Sequence, residues 1–158
     1  PCPYGSGAHT YLTLGAATID DVLLRVPART ALSSDDRGIP TGTVAVDGTE
    51  LDFRSSRRVG PTKLDNGYTD LERDDSGRAH VTVEGVDGSG RTLWVDEGYP
   101  YVMVFTGDIS DVQRRGLAVE PMTCPPNAFR SGEALITLAP GESHTAAWGL
   151  SPTIEVRA

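Results

Sequence analysis

The feature that most constrains this chain is its punctuation. Glycine and proline, 18 and 11 of them, recur between short segments rich in Val, Leu, Thr and Tyr in which apolar and polar residues alternate. A period of two sends successive side chains to opposite faces of an extended strand, whereas a helix needs apolar residues three and four apart. Helical patterning is almost absent, so the chain reads as all-β, an antiparallel β-sandwich. Its 158 residues suit one domain spanning 1–158 and leave no room for a second of ordinary size.

Individual strands can be placed by the same logic. Val22, Leu24 and Val26 alternate with Leu23 and Arg25 ahead of Pro27, which predicts a strand over 19–26. Val81 and Val83 alternate with Thr82 and Glu84, a turn follows at 87–90, and Leu93 to Val95 resumes the pattern, so this stretch reads as a hairpin. Val102, Met103, Val104 and Phe105 form the most apolar run and predict a central strand that ends in a turn at Thr106, Gly107 and Asp108. Leu117 to Val119 reads as a short buried strand leading to Glu120. Pro121, Pro125 and Pro126 lack a backbone N–H, so regular pairing is expected to stop there and 122–130 to be an irregular loop. Leu135 to Leu138 and Ala146 to Leu150 are read as the last two strands, joined by a turn at Pro140-Gly141. Residues 33–42 read as a polar loop, and Asn66-Gly67 as a turn.

Charge narrows the partners. The 22 acidic residues against 14 Lys and Arg leave a net charge of −8, which repels phosphate backbones and anionic bilayers. Neither nucleic acid nor a membrane surface is therefore an expected partner. No apolar run approaches the roughly 20 residues of a spanning helix, and Pro1 to Tyr4 has no signal-peptide character, so a cytoplasmic location is expected. Cys2 and Cys124 stand far apart, outside any C-x-x-C or zinc-type cluster. They read as two free thiols, with a bridge between them left open. The chain opens without Met and its strand pattern is dense by Tyr11, so it is expected to be a piece of a longer protein.

Four phrases carry a resemblance: His9-Thr10-Tyr11-Leu12 after a glycine-rich lead-in, Gly38-Ile39-Pro40-Thr41-Gly42, Leu64-Asp65-Asn66-Gly67-Tyr68, and Val119 through Phe129 with Glu120 at its head. Asp52-Phe53-Arg54 and Leu138-Ala139-Pro140-Gly141-Glu142 fall in the matching order. Together they resemble the aldose 1-epimerase (galactose mutarotase) family, closest to its bacterial, sulfosugar-associated members. The resemblance spans nearly the whole chain but only about the second half of a typical member. It implies the C-terminal portion of the galactose mutarotase-like supersandwich. It also implies a catalytic pair, with His9 as general acid and Glu120 as base, and Asp65 as an acceptor for substrate hydroxyls. A further histidine and an arginine of the family's first half have no counterpart here, so a complementary N-terminal half or a homo-oligomer is an implied partner.

The residue types suit anomer exchange. Opening a hemiacetal needs one proton removed from the O1 hydroxyl and one delivered to the ring oxygen, with the roles reversed on closing. Glu and His, with ordinary pKa values of about 4.3 and about 6.5, can be drawn toward neutrality by burial and by each other. The chemistry requires no metal and no organic cofactor. His9 and Glu120 are expected to converge across a cleft, on opposite sides of the hemiacetal. Tyr11, Trp94, Tyr99, Tyr101 and Phe105 are candidates to contact the sugar, since aromatic rings stack on the apolar face of a pyranose.

Taken alone, each residue has a plainer account. His9 would be a surface imidazole, Glu120 the first solvated residue after a strand, Asp65 a turn residue, and His80 and His144 exposed strand residues. Asp35-Asp36-Arg37 and Glu72-Arg73-Asp74-Asp75 read as solvated charges, not metal sites. Two functions fit: a cofactor-independent hexose mutarotase, or a carbohydrate-binding module of the same fold without turnover. A hydrolase finds no support, because neither G-x-S-x-G nor paired metal-ligand histidines occur. The nearest resemblance allows a hexose with an anionic group at C6, for which Arg54, Arg57, Arg58 or Arg130 would be the counter-charge.

Overall fold

The alternating segments pair into antiparallel ladders. The computed structural model describes residues 1–15, 18–109 and 113–153. Its elements in order are β1 (Cys2–Tyr4), β2 (Thr10–Leu12), β3 (Leu23–Arg25), β4 (Ala28–Ser34), β5 (Pro40–Ala45), β6 (Arg57–Arg58), β7 (Asp65–Leu71), β8 (Ala79–Glu84), β9 (Gly90–Val95), β10 (Tyr101–Phe105), β11 (Leu117–Met122), the single-turn helix α1 (Ala128–Ser131), β12 (Ile136–Leu138) and β13 (Trp148–Thr153). They assemble a six-stranded sheet, β2-β11-β10-β7-β4-β5, and a five-stranded sheet, β13-β9-β8-β3-β6, with β1 and β12 forming a separate ribbon.

One apolar core joins the two sheets. From the five-stranded sheet it takes Leu24, Ala79, Val81, Val83, Leu93 and Val95, and from the six-stranded sheet Leu12, Ala31, Tyr68, Val102, Val104, Leu117 and Val119. Each fully buried Val or Leu contributes about 1.5–3 kcal/mol relative to exposure. The alternation in β8 to β11 therefore decides which face is inside, and the fold is the expected antiparallel β-sandwich. The predicted hairpin (β8–β9) and central strand (β10) are present.

Several local expectations are corrected. The strand read over 19–26 pairs only across Leu23–Arg25, because Val22 N–H turns back to Ile19 O and Val26 N–H leaves the ladder for Phe53 O as the chain crosses between sheets. Residues 33–42 are a hairpin, not a loop: Asp35 Oδ1 accepts from the N–H groups of Arg37 and Ile39, and Pro40 opens an edge strand, where a missing N–H breaks no ladder. Asn66-Gly67 lies inside β7 rather than in a turn. Gly67 is there for close approach, since a Cβ on it would lie 2.6 Å from Leu32 Cδ1.

Pro121 also belongs to a strand, opposite Val102. Its carbonyl accepts from Ala8 N–H, so its nitrogen faces that irregular lead-in and not β10, and the β10 ladder loses nothing. The Pro140-Gly141 turn is present, with Gly141 at φ 85° and Glu142 N–H bonded to Ala139 O. The strands it connects lie in different sheets, β12 beside β1 and β13 beside β9.

Candidate active site

Strand register builds one face of the six-stranded sheet. Met103 stands opposite Glu120, Phe105 opposite Ala118 and Tyr101 opposite Met122. On the far side of β10, Gly67 pairs with Met103 and Asp65 with Phe105, while Tyr11 on β2 pairs with Ala118. Directly paired residues share a face. Glu120, Tyr11, Asp65, Tyr101, Met103 and Phe105 therefore all stand on the side away from the core.

His9 joins them from just before β2. Ala8 N–H bonds to Pro121 O at 3.2 Å and Gly7 bridges to Met122, which ties the lead-in along the edge of β11. His9 Nε2 then lies 3.0 Å from Glu120 Oε1, with the imidazole 54% exposed and the carboxylate 17%. Burial raises the Glu120 carboxyl above its ordinary value, the positive charge on His9 opposes this, and the negative charge of Asp65 adds to it; the net direction is upward. The result is a carboxylate with greater proton affinity, in contact with an imidazole. The two converge as expected, but side by side in contact rather than facing each other across a cleft.

Asp65 opens β7 with its side chain exposed, and its carboxylate makes no hydrogen bond among the described residues. Tyr101 is buried, and its hydroxyl donates to Glu133 Oε1 at 3.0 Å. Burial, then that carboxylate, pushes the phenol up to about 12. Phe105 is half-buried between Ala118 and Asp65. Met103, Gly67 and Glu133 are members of this neighbourhood that sequence reasoning missed. Met103 could have been found from the alternation, since it lies out of phase with the core-facing Val102 and Val104.

Two aromatic candidates lie elsewhere. Trp94 is on β9 of the other sheet, with the Arg78 guanidinium 4.0 Å above its ring and Gly149 so close that a Cβ there would meet Trp94 Cε2 at 2.7 Å. Tyr99 is part of the core. Strand alternation could not separate the two faces of the two sheets, hence the error. His80 hydrogen-bonds Asp74 Oδ2 at 2.8 Å, and His144 sits between β12 and β13, tilted against Tyr4.

Three of the four arginines considered for an anion are engaged. Arg54 pairs with Asp47 and Asp52, Arg58 pairs with Asp21, and Arg57 bonds the carbonyls of Asp52 and Glu50 while lying 3.7 Å over Phe53. Arg130 is exposed on α1 and forms no ion pair among the described residues. Cys2 and Cys124 are both free thiols, and among the described residues no helix is long and apolar enough to cross a membrane.

The sequence pattern of the family described as aldose 1-epimerase matches residues 1–151. YihR, an uncharacterised protein of Escherichia coli (strain K12), is 36% identical over 146 residues, which is 90% of this chain and 44% of that protein. A crystal structure from Escherichia coli K12, provisionally described as an aldose 1-epimerase, superposes with a TM-score of 0.75 at 22% identity, covering 96% of this chain and 51% of its own. A galactose mutarotase-like protein from Clostridium acetobutylicum gives a TM-score of 0.74 at 18% identity, covering 96% and 48%. At these identities the structural likenesses show the fold. The chain spans about half the length of the relatives it matches.

Proposed function

The chain belongs to the aldose 1-epimerase family, and from that premise we propose that the protein interconverts the α and β anomers of a hexose, with His9 and Glu120 handling the protons. The observation that supports this reading is their 3.0 Å contact on the outward face of the sheet.

In the proposed step, the Glu120 carboxylate takes the proton of the O1 hydroxyl, and the O–H electron pair becomes the second bond of the C1 aldehyde. The C1–O5 bond breaks with its pair going to O5, which receives a proton from the His9 imidazolium. Rotation about C1–C2 presents the other face of the aldehyde, and the same two transfers in reverse close the ring. O1 and O5 share one carbon, so a donor and an acceptor standing side by side reach both. The sugar's two oxygens replace each residue as the other's partner. In this reading Asp65 accepts from ring hydroxyls and Phe105 and Tyr101, on the same face of the sheet, underlie the ring.

Exchange NMR or polarimetry on a freshly dissolved pure anomer tests this, with wild type compared against Glu120→Gln and His9→Asn. Relaxation no faster than in buffer rules out catalysis, and calorimetry on the same sample then separates a sugar-binding module from a protein that binds no sugar.

The narrower expectation, a hexose bearing an anionic C6 group, rests on the resemblance of the sequence phrases and on Arg130 as its unengaged cation. A panel of glucose, galactose and a 6-sulfonated glucose decides it. We also propose that the sheet edges at β2 and β5, where Tyr11 and Val44 are each 39% exposed, meet a complementary segment or a second copy. A stable monomer of this chain alone would count against that.

A further inference from the structure

We propose that Tyr11 is a positioning residue for His9 rather than a contact for the sugar, an inference that rests on the acid/base reading above. The imidazole and phenol rings stack with centroids 5.0 Å apart and planes 30° from parallel. Stacking of this kind restrains rotation of the imidazole about the bond that joins its ring to the chain.

His9 needs that restraint because little else supplies it. It precedes β2 rather than lying within a strand, and its side chain is 54% exposed, so neither ladder pairing nor burial selects its rotamer. Its ion pair among the described residues is with Glu120 at one nitrogen, and its ring contact is with Tyr11 on one face. When a sugar oxygen displaces the Glu120 contact, Tyr11 still holds the plane of the donor.

Tyr11 is itself well anchored. It sits in β2 opposite Ala118, and a Cβ added to Gly116 would lie 3.4 Å from Tyr11 Cδ1. Ala118 on β11 and Gly116 just before it thus leave room for the phenol to lie low over the sheet, beside the row that carries Glu120. Its hydroxyl makes no hydrogen bond among the described residues, so the ring alone does the positioning. One ring face is already covered by His9, which argues against its use as a sugar platform.

The test has two arms on the same protein. In anomer exchange, Tyr11→Leu is expected to lower kcat about tenfold with little change in KM, because a misaligned donor slows proton transfer without weakening binding. Tyr11→Phe should restore most of that rate. A raised KM at unchanged kcat makes Tyr11 a sugar contact and overturns the proposal. In the sugar-free protein, the side-chain proton signals of His9 should carry a ring-current shift that Tyr11→Leu abolishes and Tyr11→Phe keeps. His9 signals unmoved in Tyr11→Leu overturn the stack itself. Absence of anomer exchange in wild type sinks the acid/base reading, whereas the His9 signals decide the stack whether or not a sugar is turned over.

Discussion

His9 Nε2 and Glu120 Oε1 lie 3.0 Å apart although the two residues stand far apart in the sequence. The contact exists because β2 runs antiparallel to β11 and the lead-in before β2 continues that pairing through the Ala8 to Pro121 hydrogen bond. Pro121, which read as a strand breaker, is part of the device: its carbonyl holds the lead-in that carries the imidazole. The partly buried carboxylate thereby acquires an imidazole neighbour, with Asp65 also within electrostatic range.

Substitution at either member of that pair should be severe if the proposed chemistry holds. Glu120→Gln and His9→Asn are each expected to lower the rate of anomer exchange by about 10²- to 10⁴-fold, the usual worth of a positioned acid or base. Binding of the sugar measured by calorimetry should fall far less.

The pH dependence has a definite sign. Glu120 must be ionised to accept a proton, and its carboxyl is raised, so the acid limb of kcat/KM should lie at higher pH than an unperturbed glutamate would set it. Asp65 contributes to that raise through its negative charge. Asp65→Asn should therefore shift the limb to lower pH while also weakening sugar binding, and a limb that stays in place would show that Asp65 does not tune Glu120.

Gly67 can be tested through Leu32. A Cβ at position 67 would lie 2.6 Å from Leu32 Cδ1 and 3.1 Å from its Cγ, and Leu32 is buried. Gly67→Ala is expected to cost about 1–3 kcal/mol in thermal or denaturant unfolding. Added to a Leu32→Ala background the same change should cost clearly less, a coupling that a double-mutant cycle reads directly.

Arg114 ties three loops together. Its guanidinium donates to Asp20 Oδ1 at 2.8 Å, Asp108 Oδ1 at 3.0 Å, Gly60 O at 2.6 Å and Thr62 O at 3.3 Å. Arg114→Ala should destabilise by about 2 kcal/mol or more by leaving these acceptors unpaired. Arg114→Lys should recover little, because one ammonium cannot span four acceptors in a planar fork. Faster amide hydrogen exchange at Ile19, whose N–H bonds Arg114 O, would accompany the loss.

Asp52 sets an acid-stability window. Its hydrogen bond to Arg54 lowers its carboxyl from 3.8 to about 2. A depressed carboxylate stabilises the fold above its unfolded value and loses that contribution as pH falls through the folded one. Asp52→Asn should therefore unfold more easily than wild type at neutral pH, with the gap narrowing below the ordinary carboxylate range and closing near pH 2. A gap independent of pH would assign the effect to packing.

The sequence by itself determined the class of fold, the inward-facing positions of several strands and the resemblance. Alternation in Val81 to Glu84, Leu93 to Val95 and Val102 to Phe105 is a local property, since burying one face of a strand depends on the residues of that strand. The phrases around His9, Asp65 and Glu120 were likewise legible as text. Only the tertiary structure decided which strands neighbour one another, and hence that Met103 separates Glu120 from Gly67, that Tyr11 stacks on His9, and that Trp94 and Tyr99 belong elsewhere. Asn66-Gly67 misled for the same reason: it carries the strongest local turn signal, yet Gly67 answers to Leu32 on the next strand. Register and face are set by long-range pairing and close packing, and no window of neighbouring residues contains them.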